Sequence, residues 1–159
     1  MTDRCDGCGL AVEGGRTGCR EIFDQVIARD FSDARYFSVH RLVVDCYSLQ
    51  HPDQFCRSAK SLAAHLVGLC SILESKASAA AGSPLLRDWL DGRRELDKPE
   101  LPAERGEITI GDLPLDAAPG EWKHAVHAWA AAIWRAYEEL QPLAREWLRC
   151  AAERSSHNR

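Results

Sequence analysis

No stretch of this chain approaches the roughly 20 consecutive apolar residues that cross a bilayer, so no membrane span is expected. The basic excess by which general nucleic-acid binders neutralise phosphate is also missing: 20 Lys and Arg stand against 24 Asp and Glu, a net charge of −4. The opening residues are polar and carry cysteine, without the basic, apolar and small-residue zones of a secretory leader. There is no internal repeat and no low-complexity tract. The seven cysteines are odd in number and lack the spacing of a disulfide scaffold. These absences lead us to expect a cytoplasmic protein with reduced thiols, bound neither to a membrane nor generally to nucleic acid. A protein partner or a small-molecule ligand is left open.

What is present begins at once, in the stretch CDGCG. Cys5 and Cys8 form a Cys-x-x-Cys turn followed by glycine, and Cys19 follows eleven residues on. Such a turn presents two thiolates to one metal ion, and glycine lets the backbone curl round them. A chain of 159 residues with 45% hydrophobic and 28% charged residues is an ordinary globular composition, able to bury a core.

After this start the pattern is helical. Ile22, Phe23, Val26 and Ile27 give a 3.6-residue period from Cys19. Ser32 and Asp33 predict the N-cap of a second helix over about 34–50, striped by Tyr36, His40, Val43, Val44 and Tyr47, and Pro52 ends it. A third helix is expected from Gln54 to Lys76 on a spine of Leu62, Leu66, Leu69 and Leu73. Ser83-Pro84 predicts the start of a short fourth helix through Trp89 and Leu90. Residues 91–119 carry four prolines, and EITIGDLP within them reads as a short strand or an extended cover. From Gly120 a long amphipathic helix carries Trp122, Val126, Trp129, Ile133, Ala136 and Leu140, and Pro142 must kink or restart it. The expectation is an all-α antiparallel helical bundle: a single domain over 1–150 with a Cys/Gly-rich metal-binding knuckle at 1–18, a long and partly extended connection before the last helix, and a frayed tail at 151–159.

Helix geometry then decides which ligands can meet. His40 and His51 lie ~16 Å apart along one helix and cannot share an ion. Folding the second helix back on the third about Pro52-Asp53 brings His40 level with His65. Folding the first against the second brings Cys19 within about a turn of His51. Two clusters follow. Cys5, Cys8, Cys19 and His51 have the composition of a closed structural Zn²⁺ site. His40 and His65 form a second possible metal cluster, against the plainer reading that their imidazoles donate to each other or to a buried carboxylate. Asp45 lies roughly 140° round the helix from His40 and faces Arg41, as an i,i+4 ion pair. Cys46 and Cys56 could substitute for His51 or Cys19, although for Cys46 burial as a small hydrophobe is preferred. Cys70 and Cys150 read as packing or surface residues. His124 and His127 are one turn apart but lie off the apolar stripe, and the five tryptophans are core fillers. A dithiol pair of the thioredoxin type would need a βαβ setting that is missing.

The run YFSVHRLVVDCYSLQHP, then SLAAHLVGLC, and finally HAWAAAIWRAYEEL resemble a family of small uncharacterised bacterial proteins that open with Cys-Pro-x-Cys-Gly and carry a His-Arg-Leu-x-Val-Asp-x-Tyr-x-x-Gln-His-Pro stretch. Cys5, Cys8, Cys19, His40, Arg41, Asp45, Tyr47, Gln50, His51, Pro52 and His65 fall on its motif positions. The chain departs at Asp6, where that family has proline, and at Ala64 before the histidine. The resemblance implies no activity. A looser likeness, of architecture alone, is to DinB-like bundles that hold a metal with helix-borne histidines. The reading that needs fewest assumptions is a non-catalytic, zinc-stabilised helical protein. The alternatives are a metal-dependent enzyme, hydrolase or thiol transferase, built on the His40/His65 region, or a thiol-based redox or metal sensor. No residue is assigned a catalytic role.

Overall fold

The computed structural model describes residues 2–75, 79–92 and 95–157. Among them are eight α-helices, two 3₁₀ turns and no strand: α1 (Arg16–Ser32), α2 (Ala34–Phe37), α3 (His40–Gln50), α4 (Pro52–Phe55), α5 (Ala59–Glu74), α6 (Ala79–Asp91), α7 (Pro119–Ala136) and α8 (Gln141–His157), with 3₁₀ turns at Ile110–Asp112 and Glu138–Leu140. The chain is all-α, as its periodicity predicts.

Helix α5 is the centre. Its leucine spine is buried through Leu69 and half-buried at Leu73, and it packs against α3, α6 and α8. Helix α3 also packs on α7. Arg41 and Asp45 of α3 bond to Ala64 and His65 of α5 where those two helices pack. All five tryptophans are buried. Burying a large apolar side chain stabilises by about 1.5–3 kcal/mol, so these rings, with the leucines, dominate the core.

Several helix boundaries differ from the sequence reading, each for a local reason. Asp33 does cap the second helix, accepting from the Arg35 amide at 2.9 Å, but only one turn follows before Ser38-Val39 interrupts it, and α3 starts afresh at His40. The third helix starts at Ala59 rather than Gln54. Ser58 and Ser61 form a reciprocal cap there, each backbone amide donating to the other's hydroxyl, and Pro52–Phe55 is a separate turn. Pro84 lies inside α6 instead of opening it, removing one hydrogen bond in its N-terminal half. Lys76, the expected end of the third helix, lies outside the described residues. Pro142 restarts the last helix: α7 ends at Ala136, a 3₁₀ turn intervenes, and α8 begins at Gln141. Where a frayed tail is expected, α8 continues to His157. Buried Ala151, the Arg149–Glu153 ion pair and the His157 imidazole, which donates to the Glu153 carbonyl, support that last stretch.

The connection after α6 forms no strand over EITIGDLP. Thr109 and Asp112 cap a 3₁₀ turn, and Ile110 and Leu113 anchor it in the core. Gln50 holds it in place. Its amide donates to the carbonyls of Arg105 (3.1 Å) and Ile108 (2.8 Å) while its oxygen accepts from the Trp129 indole at 3.1 Å. One buried side chain thus ties α3, α7 and the connection together. The connection in turn reaches the N-terminus, because Arg105 donates to the Gly7 carbonyl at 3.0 Å.

Candidate metal centre

The knuckle folds on itself before it meets any helix. The Cys5 amide donates to the Leu10 carbonyl and the Gly9 amide to the Cys5 carbonyl, both at 2.8 Å, and an isolated antiparallel bridge joins Arg4 to Ala11. Gly9 sits at φ +81°, where a side chain is strained, which explains the glycine directly after Cys8. At Gly7 the reason is space: a Cβ there would collide with Cδ2 of His51. The His51 ring therefore lies directly on the knuckle backbone.

Cys19 comes from the first turn of α1 and His51 from the residue that ends α3. Arg16, at the head of α1, pairs with Asp6 of the knuckle and Asp53 of α4, fastening the three segments from outside. The result is a group of four ligand atoms, from Cys5, Cys8, Cys19 and His51, all within 4.8 Å of one another. His51 Nε2 lies 3.3 Å from Cys5 Sγ and 3.6 Å from Cys19 Sγ, and the sulfurs of Cys8 and Cys19 are 3.7 Å apart. A tetrahedral ion with metal–sulfur bonds of about 2.3 Å and a metal–nitrogen bond of about 2.0–2.1 Å demands edges of about 3.8 Å between sulfurs and about 3.6 Å between sulfur and nitrogen. The donor set fits.

Protonation favours the same chemistry. The Tyr47 carbonyl can only accept, so the 2.7 Å bond to His51 Nδ1 places the ring proton there and leaves the Nε2 lone pair facing the sulfurs. The Cys19 contact, and behind it the His51 imidazole, pull the Cys8 thiol down to about 4, while the same contact pushes Cys19 up. One thiolate, the metal-binding form, is thus favoured in the cluster. Cys5, Cys19 and His51 are buried and Cys8 is half-buried.

The remaining candidates lie elsewhere. All seven cysteines are free. Cys46 is in the core, where burial pushes its thiol up. Cys56 is buried with its sulfur 3.6 Å from the Ser48 carbonyl, its thiol pushed up to about 12 by burial. Cys70 is buried and Cys150 half-buried, as packing residues are. His40 and His65 each meet a different buried carboxylate: His40 Nδ1 donates to Asp30 at 3.1 Å and His65 Nδ1 to Asp45 at 2.9 Å. Among the described residues neither joins a group of three potential metal ligands. Asp45 keeps the expected Arg41 partner, whose Nε sits 3.0 Å from both carboxylate oxygens, and adds His65 across the helix pair. That link escaped the sequence reading, which weighed Asp45 only within its own helix. Asp30 was missed altogether. An aspartate two residues before the Ser32-Asp33 turn gives no periodic signal, and only the fold back onto α3 brings it to His40.

The model of a family of unknown function, DUF5946, matches residues 3–138. The chain belongs to that family. The match takes in all four residues of the DUF5946 chain's Cys₃His cluster, both histidine–aspartate pairs and the whole connection, and it stops before α8. No curated protein and no solved structure matches the chain. No helix among the described residues is long and apolar enough to cross a membrane.

Proposed function

We propose that Cys5, Cys8, Cys19 and His51 hold one zinc ion, and that this ion's role is structural: it pins the N-terminal knuckle to the corner where α1 meets the end of α3. The observation that carries this reading is that all four ligand atoms lie within 4.8 Å of one another, three of the six edges measuring 3.3, 3.6 and 3.7 Å, close to those of a tetrahedral thiolate–imidazole site. Three sulfurs and one nitrogen favour zinc over the hard cations. Four protein ligands, three of them buried, fill the coordination shell and leave no position for a substrate, unlike an open catalytic site. When bound, the ion supplies a further cross-link between the knuckle, α1 and the end of α3, beside the Arg16 ion pairs. The protein is then a zinc-stabilised helical member of its family that works through a partner or ligand, without chemistry at the metal.

The test is elemental analysis of untagged protein with and without a strong chelator. One zinc per chain, with chelation lowering the melting temperature, supports the reading. Unchanged helicity and melting temperature after complete removal would refute a structural role. The half-buried Cys8 beside Cys19 keeps the sensor alternative in play: mild peroxide that releases zinc and reversibly alters the oligomeric state would favour it. A second bound metal would instead revive the His40/His65 cluster and the enzyme.

A further inference from the structure

Where α3, α5 and α6 meet, the surface opens into a cavity of about 220 Å³, lined by Arg41 of α3, Ala64 of α5 and Leu86, Arg87, Leu90 and Asp91 of α6. None of these residues belongs to the cysteine cluster. Arg41 is held from behind. Its Nε sits 3.0 Å from both oxygens of Asp45, and its Nη2 donates to the Ala64 carbonyl at 2.9 Å. Asp45 has no exposed surface, and His65 fixes it in turn at 2.9 Å. Gly68 makes room for the arrangement: a Cβ there would collide with the Asp45 carboxylate and crowd the Arg41 guanidinium. A buried ion pair adds little stability over apolar packing of the same volume, so stability alone is a poor reason for it. What it achieves is a guanidinium of fixed position whose side chain is still 32% exposed. Asp45 and Ala64 use only part of its donor set, and a planar guanidinium recognises carboxylates with the rest.

Helix α6 supplies the complement. Arg87 and Asp91 are four residues apart, so they share a helix face about 6 Å apart along its axis. Leu86 and Leu90 give the same cavity an apolar wall. The charges balance, Arg41 against Asp45 and Arg87 against Asp91. The cavity therefore presents separate poles without a surplus of either sign. An apolar cavity of about 150 Å³ holds benzene, so one of about 220 Å³ suits a molecule of about nine non-hydrogen atoms.

We propose that this cavity binds a free α-amino acid with an apolar side chain. Arg41 and Arg87 hold its carboxylate, Asp91 takes its ammonium, and Leu86 and Leu90 receive its side chain. The site stands independently of the zinc.

The experiment titrates the full-length ¹⁵N-labelled chain with L-leucine, L-valine and L-alanine and follows the amide shifts. Binding of at least one of them at up to about 10 mM, with shifts centred on Leu86–Asp91, supports the proposal, and no binding by any of the three overturns it. L-leucinamide lacks the carboxylate and 4-methylpentanoate lacks the ammonium. Each should bind about tenfold more weakly than leucine, the scale of a lost charged hydrogen bond. Equal binding by either analogue, or by inorganic phosphate, would overturn the assignment to an amino acid. Arg87→Met and Asp91→Asn change exposed side chains and leave the Arg41–Asp45–His65 trio intact, so both should fold. The first should weaken leucine binding about tenfold. The second should weaken leucine and leave 4-methylpentanoate unchanged. An unaltered leucine affinity in Arg87→Met would overturn the placement of the site. Zinc content measured on the same samples separates a failure of the zinc reading from a failure of this one.

Discussion

Three histidines on one helical hairpin are fixed in the same way and end in different situations. His51, His40 and His65 each donate Nδ1–H to a buried acceptor, at 2.7, 3.1 and 2.9 Å. For His51 the acceptor is a neutral backbone carbonyl, and three thiols crowd the other ring nitrogen. For His40 and His65 the acceptor is a carboxylate with no exposed surface, and among the described residues neither joins a group of three potential metal ligands. A histidine held through one nitrogen is a ligand-in-waiting in either case. What separates the two regions is the soft donors brought to the other nitrogen, and those come from the first 19 residues. The knuckle end is arranged to capture an ion. The carboxylate end already holds its own counter-charges, Arg41 on Asp45 above all.

The largest effect should come from attacking the knuckle end. Cys19→Ser removes the central sulfur of the cluster. Metal content by elemental analysis should fall to near zero, and the melting temperature should drop by about 10 °C or more, since each lost kcal/mol moves a domain of this size by roughly 2–4 °C. A variant that keeps its full zinc complement would erase the contrast between the two regions.

Next comes the other end. Asp45→Ala leaves Arg41 and His65 without the carboxylate they share, and breaking a buried pair in this way costs about 3–5 kcal/mol. The urea midpoint should fall accordingly while zinc content stays at its starting value. Loss of zinc from this variant would show that the two ends are one site.

Gln50→Ala is a third, smaller test. It strips three hydrogen bonds at the junction of α3, α7 and the connection, and should cost about 2–3 kcal/mol in chemical denaturation. Because that connection reaches Gly7 through Arg105, zinc should also leave faster in a chelator assay, without a change in stoichiometry.

The smallest effect concerns pH. Burial raises the Asp30 carboxyl above its ordinary range despite His40. A carboxyl raised in the folded state binds a proton on folding. Its contribution is therefore fully present below the unfolded pKa and is lost as pH rises through the folded value. The stability difference between the parent and Asp30→Asn, followed by urea unfolding from pH 4 to 7, should shift against the parent as pH increases. A flat difference would mean that His40 cancels the burial.

Much of this arrangement was legible in the chain. The Cys-x-x-Cys-Gly turn, Cys19 at a helix start and His51 before a proline are local signals, and the rise of a helix is enough to bring them to one end. The stripes of leucine and tryptophan likewise predicted which faces are buried. Element ends were less legible: Ser58 and Ser61 cap α5 with two serines where Pro52 offered a more conspicuous start. The interrupted second helix has no marker at all between Phe37 and His40.

The partners of polar side chains were least legible. Asp30 meets His40, Asp45 reaches across to His65, and Gln50 holds a connection more than 50 residues away. Sequence by itself determined an all-helical chain with three early thiols and a histidine one hairpin away, because periodicity and helix rise act locally. Tertiary structure alone decided which buried polar group meets which. A hydrogen bond between distant residues leaves no spacing in the chain: it forms wherever packing brings a donor and an acceptor within about 3 Å, and burial makes leaving either one unpaired too costly.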